Sequence, residues 1–321
     1  MSRTLDRRSL VTGSVAALAA AGCSVRRSAA PPPAVSILRA PEYGPGLYAE
    51  VRRVLEMHRL NVRGKRVVLK PNLVEFEPQS AINTHPMFVH ATLEAFRAMG
   101  AAEVRIAEGP GHRRNTLDLA DAAGYFQAIP NFEDIFTDLN LDEVSLTRLR
   151  GGYSRLDSLY LPNTALRCDL LVSLPKLKTH HWTGATLSMK NLFGLVPGGV
   201  YGWPKNVLHW AGIHECIADL HVAFPRQFAL VDGIVGMEGN GPIQGTPRRA
   251  GVLVAGRDVV AVDATCCRIM GIDPLKIGYL RLVAGEDTLA ESHIQQIGEP
   301  VAGVTHSFEL LPQFRAFRLR S

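Results

Sequence analysis

Asp169-Leu170-Leu171-Val172-Ser173-Leu174-Pro175-Lys176-Leu177-Lys178 changes character at its proline. Before Pro175 the run is almost wholly apolar; after it, lysines alternate with other residues. A short apolar run bounded by an aspartate and a proline is what a strand buried on both faces requires. A sheet covered on both faces carries helices above and below, which makes its strands mostly parallel.

The residues on either side repeat this logic. Val35–Leu38, Arg66–Leu69, Val104–Ala107, Phe228–Val231 and Gly251–Ala255 read as strands. Between them lie helical patterns. Tyr48–Leu60 places Val51, Val54 and Leu55 on one face. A helix from Thr84, as N-cap before Pro86, runs to Met99 and closes at Gly100. Thr116–Ala123, Val207–Phe224 and Val259–Met270 complete the set, the last capped by Asp258 and closed by Gly271. Residues 130–166 are less regular. The expected fold class is α/β, a mostly parallel sheet flanked by helices over residues 35–321. It forms either one continuous body or two lobes with a cleft between them.

In open α/β sheets, ligands bind beyond the carboxyl ends of the strands. Four polar loops are expected after four of these strands: Lys70-Pro71-Asn72, Glu108 to Arg114, Lys176 to Lys190, and the glycine-rich acidic stretch Asp232 to Pro242. The topology predicts that they converge on one rim. The third is densest, with Lys176, Lys178, His180, His181, Lys190 and Asn191. Imidazole serves as ligand, acid or base near neutral pH. On a regular strand or helix, adjacent histidines point different ways, so one of His180 and His181 is expected to face the site and the other to pack or meet solvent. Asp232 and Glu238 suit either a cation held through oxygen or a plain tight turn. Asp258 reads as a cap, and Asp263, inside a helix, needs a partner if buried.

Composition sets the class. Of 321 residues, 46% are hydrophobic and 20% charged, which is ordinary for a globular chain and unlike a disordered or multi-span membrane protein. The formal net charge is +5, with Arg3, Arg7 and Arg8 against Asp6 in residues 1–22 supplying two of those charges. No basic stripe interleaved with aromatics is present, so a nucleic-acid partner is not expected. Arg7-Arg8 before a short apolar run to Ala21 resembles a twin-arginine signal over residues 1–22. Ala20-Ala21-Gly22-Cys23 resembles a lipobox with Cys23 as the lipidated residue, and 23–34 reads as a flexible tether. Export by the twin-arginine machinery to the periplasm or envelope, with a lipid anchor at Cys23, is the expectation. Cys168, Cys216, Cys266 and Cys267 form no Cys-x-x-Cys pair, and Cys266-Cys267 fall in an apolar helical pattern that suits core residues.

Lys70-Pro71-Asn72, Pro175–Lys178 with Lys190-Asn191, Asp232-Gly233 with Glu238 to Pro242, and Asp258 with Asp263 before Met270-Gly271 resemble the domain of unknown function 362 family, in order, over residues 65–275. The resemblance implies a family often linked with iron–sulfur proteins; the cysteine-rich segment of some members is absent from this sequence. A more distant similarity is to the nickel-dependent lactate racemase family. It rests on His112-Arg113 with Thr116, then His180, Gly184 and Lys190, then Pro197-Gly198 and His209. That resemblance implies a nickel-pincer nucleotide or another metal centre as cofactor. Lys190 would be its tether, His209 a metal ligand, and His112 and His180 the catalytic acid and base. Lys70, Asn72, Lys176 and Lys178 would be further cofactor-binding residues. The substrate implied is a small hydroxy acid, handled by proton and hydride transfer. The interval from Lys190 to Pro197 is longer than in that family, which implies shared ancestry with altered chemistry. The alternative is a non-catalytic envelope protein that binds a metal or small ligand in the same cleft.

Overall fold

A computed structural model describes residues 31–112 and 115–320. The expected signal and tether residues Arg7, Arg8 and Cys23, and Arg113 of the histidine-arginine pair, lie outside the described residues. From Pro32 onward the chain forms one compact unit.

The strands are β1 (Ala34–Arg39), β2 (Arg66–Pro71), β3 (Glu103–Glu108), β4 (Phe136–Asp138), β5 (Val144–Arg148), β6 (Ser158–Pro162), β7 (Leu170–Leu174), β8 (Lys176–His180), β9 (Gly184–Thr186), β10 (Gln227–Glu238), β11 (Thr246–Gly256) and β12 (Gln295–Gly298). The main sheet runs β12-β1-β11-β10-β7-β2-β3-β4, with β8 on β10 and β9 on β8, while β5 and β6 form a separate hairpin. The β7, β2, β3 and β4 ladders are parallel, and β11 and β9 run against their neighbours. The expected α/β class with a mostly parallel sheet is what the chain adopts.

The period-two geometry of the strands feeds two cores. Leu171, Ala229, Val231, Val252 and Val254 pack on one face, beneath the helices Ile213–Ala223 and Val259–Ile269. Leu170, Val172, Leu174, Phe228, Leu230 and Leu253 pack on the other, against Leu47–Met57 and Pro86–Ala98. This is why the central runs read as continuously apolar.

Several local expectations are corrected. Lys176 to Lys190 is not a loop. After a break at Pro175 the chain continues as β8, turns at 181–183 and returns as β9. The acidic stretch Asp232 to Glu238 is likewise strand, with a register shift between Gly233 and Val235. The N-cap of Pro86–Ala98 is His85, not Thr84. Thr84 Oγ1 instead accepts the Asn72 N–H at 2.8 Å and donates to the Leu174 carbonyl. The long helix over Val207–Phe224 is two helices, Asn206–Trp210 and Ile213–Ala223, separated at Gly212. Gly212 has a φ of 106°, which a residue with a Cβ adopts only under strain. Asp258 caps its helix as expected by accepting from Ala261 N. Asp263 finds its partners in the Ser188 and Met189 N–H groups, at 2.8 and 2.9 Å.

Candidate active site

The site exists because strands end at different heights. β2 pairs with β7 as far as Pro71 opposite Leu174. Past that point β8 extends alone along β10, flanked by β9. The space left beside β8, beyond the ends of β2 and β3, is a cavity of about 310 Å³. It sits at the carboxyl ends of parallel strands, where the topology predicts a ligand.

Lys70, Lys178, Lys190 and Lys205 line it, together with His112, His180, His181 and His209. Among the described residues Glu108 is the one carboxylate on the wall. Glu108 is fully engaged: Oε2 accepts from Lys70 Nζ at 2.7 Å and from Leu73 N, and Oε1 accepts from Gly109 N. Asn191 closes this cluster, accepting from Lys70 Nζ and Asn72 Nδ2 and donating to the Lys70 carbonyl. Gly194 is required against it, since a Cβ there would stand 1.9 Å from Glu108 Oε1 and 2.4 Å from Lys70 Nζ.

Among the described residues the other lysines of the wall pair with no carboxylate, and Lys178 donates only to the Ile82 and Pro242 carbonyls. Burial, then the charges of Lys176 and Lys190, hold its ammonium well below the usual lysine range. Lys205 donates to the Gly109 carbonyl at 2.6 Å, and burial pushes it down to about 7. Lys190 Nζ lies 3.7 Å from the centre of the Phe193 ring and, among the described residues, has no hydrogen-bond partner. Burial, then Lys205 and Lys70, push it down to about 7. Its side chain is partly open because it faces the cavity, while the protein mass around it still disfavours charge. Asn72 Oδ1 and Thr186 Oγ1 are buried on the same wall without a partner.

His180 is buried at the end of β8, and burial followed by Lys190 and His181 holds its ring well below the usual histidine range. His209 lies edge-on to Trp182 at 5.0 Å and to Phe193 at 6.1 Å. Among the described residues no three His, Cys, Asp or Glu side chains converge to hold a metal ion.

The sequence-predicted residues therefore divide. His112, His180, Lys190, Lys70, Asn72, Lys178 and His209 meet around one cavity. Lys176 does not. Its ammonium is instead taken up by a 2.6 Å ion pair with Asp232 and a hydrogen bond to Tyr43 Oη. Tyr43 Oη donates to Asp232 Oδ1, and His85 N donates to Oδ2, so Asp232 is satisfied without a cation. Glu238 accepts from Glu309 N. The cation-binding reading of Asp232 and Glu238 is withdrawn. His181 lines the cavity beside His180, contrary to the expectation that only one faces it. Lys205 escaped the sequence reading because it follows no strand and sits in no recurrent spacing; only the fold brings it under Gly109.

A family description, Domain of unknown function (DUF362), matches residues 67–268. The chain belongs to this family. The matched span includes β2, β3, β7 and β8 with every cavity residue named above. One relative is a thylakoid-associated protein of Synechocystis sp., 31% identical over 259 residues, which make up 76% of each chain. Among solved structures, the lactate racemase apoprotein of Thermoanaerobacterium thermosaccharolyticum matches with a TM-score of 0.46 at 15% identity. That match covers 74% of this chain, which spans 57% of the racemase chain.

Proposed function

We propose that the cavity binds a small anionic hydroxy acid and that the chain is a cofactor-dependent enzyme acting on it by proton and hydride transfer. The observation that carries this reading is the imbalance of charge. Four lysines surround the space, and the single wall carboxylate is already committed to Lys70. A bound carboxylate or phosphate would offset the cost of burying the unpaired ammonium groups. A lysine near pKa 7 is also in part a free amine at neutral pH, which suits it to form a covalent tether.

The residues present fit a nickel-pincer nucleotide, a group that brings metal donors of its own. Lys190 offers an amine with no hydrogen-bond partner among the described residues, and His209 an imidazole on the same wall. When bound, such a group supplies a site that takes up and returns hydride. The chain's own residues do the rest: Lys178 and Lys205 hold the anion, neutral His180 faces the substrate oxygen, and His112 stands on a separate loop as its acid–base counterpart. Folded export through the twin-arginine machinery, from Arg7 and Arg8, fits a cofactor loaded before translocation, with Cys23 as a lipid anchor in the envelope. The relative's thylakoid association supports a location at a membrane. No described helix is long and apolar enough to cross one.

Protein purified from its own cells tests this. The peptide containing Lys190 is expected to carry a covalent mass increment, with nickel in the intact protein. Unmodified Lys190 with reversible glycolate binding would instead describe a non-catalytic envelope binding protein. Failure to bind any carboxylate would overturn the reading altogether.

A further inference from the structure

We propose that His180 and His181 form a hydroxyl-reading couple, in which His180 Nε2–H donates to the ligand's oxygen and His181 Nε2 receives the hydroxyl proton. This rests on the cavity as the anion site and names the second group its ligand must carry.

The rings lie side by side because the strand ends between them. His180 is the last residue of β8 and His181 the first of the turn to β9. Strand alternation therefore stops at His181, and the rings stack with centroids 4.9 Å apart and planes 28° apart. Both line the cavity.

Their backbone partners set opposite tautomers. His180 Nδ1 is 3.0 Å from Trp182 N and 3.3 Å from Thr183 N. Amide N–H groups only donate, so Nδ1 keeps its lone pair and the ring proton sits on Nε2. His181 Nδ1 is 2.8 Å from the Gly241 carbonyl oxygen. A carbonyl only accepts, so Nδ1 carries the proton and Nε2 of the neutral ring is bare. That carbonyl is held in place: it also accepts from His181 N at 2.8 Å. A Cβ on Gly241 would stand 2.1 Å from the Thr179 carbonyl oxygen, so only glycine brings the backbone this close.

One bare nitrogen beside one N–H is complementary to a group that has both a proton and a lone pair. A hydroxyl has both. A carboxylate or ketone has no proton for His181, and an ammonium has no lone pair for His180. With the lysines taking the carboxylate, the couple selects a hydroxy acid over its deoxy analogue. If the proton transfers, the O–H bond breaks and an N–H bond forms at His181 Nε2. The resulting imidazolium keeps its Nδ1–H bond to Gly241, and the electron pair stays on oxygen beside His180 Nε2–H. The sequence reading pointed to His180 because only His180 has the racemase-like spacing to Gly184 and Lys190, and regular alternation would have turned His181 away.

The test uses the full chain labelled with ¹⁵N-histidine. Long-range ¹H–¹⁵N spectra are expected to show His180 protonated at Nε2 and His181 at Nδ1. A His181 ring protonated at Nε2 overturns the proposal without touching the anion site. Calorimetry with glycolate and acetate then reads the hydroxyl, with glycolate expected to bind roughly tenfold tighter. In His181→Phe that preference should fall to near unity while acetate binding persists, because the lysines are unchanged. Equal affinities in the wild-type chain overturn the couple. Binding of neither acid, with the two tautomers as stated, overturns the anion site and the hydroxyl role with it.

Discussion

Two pairs of lysines in and around this sheet are solved in opposite ways. Lys70 and Lys176 each meet a carboxylate, Glu108 at 2.7 Å and Asp232 at 2.6 Å, and every remaining atom of those carboxylates is also engaged. Lys205 is buried and Lys190 partly open to the cavity, and among the described residues they meet only a carbonyl and an aromatic face. In the first pair, burial lowers the lysine pKa while the partner's charge and hydrogen bond oppose it. In the second pair the fall runs to about 7. A paired buried lysine is part of the framework; an unpaired one on a cavity wall is a charge held ready for a ligand.

Breaking a pair has the largest expected effect. Asp232→Ala strands Lys176 without a counter-charge and leaves Tyr43 Oη and His85 N without an acceptor. A loss of about 3–5 kcal/mol in urea-induced unfolding is expected. A loss under about 1 kcal/mol would show that the pair is not structural. The opposite substitution sharpens the contrast. Lys190→Met removes a charge that the ligand-free fold pays to bury, so stability should rise by about 1 kcal/mol while glycolate affinity falls at least about tenfold. A destabilised Lys190→Met protein would place Lys190 with the framework lysines instead.

The smallest effect is one of pH. Lys190 and Lys205 lose their protons near pH 7 in the fold, against about 10.4 in an unfolded chain. Between those values the unfolded chain binds more protons, so their contribution to ligand-free stability rises with pH across that window. Anion binding runs the other way, because it needs the charged forms. Glycolate affinity should fall by up to about tenfold per pH unit above pH 7 for each coupled proton, with proton uptake on binding at pH 7.5. A flat affinity from pH 6 to 9, followed by calorimetry in buffers of different ionisation enthalpy, would remove these lysines from the binding step.

Much of this architecture was legible in the residues. The apolar run Leu170–Leu174 marked a strand with both faces covered, and Asp258 marked a helix start, because burial and capping act over a few neighbouring residues. The polar segments after β2, β3 and β7 were legible as a converging rim because parallel strands put their carboxyl ends together. What misled were segments whose conformation depends on distant partners. Lys176–His180 looked like a loop because its lysines are polar, yet each finds a buried partner, so the segment stays a strand. Thr84 looked like a cap but serves β2 and β7 instead.

By itself, then, the sequence determined the class of fold, the positions of its core strands and the loops that carry chemistry, since hydrophobic period and capping are local properties of the chain. Only the tertiary structure decided which lysines meet a counter-charge and which do not. It also added Lys205 to the cavity, removed Lys176 from it, and set the two histidine tautomers. Those outcomes depend on where a carboxylate, a carbonyl or an amide from far along the chain arrives, and distances of that kind are not written in the order of residues.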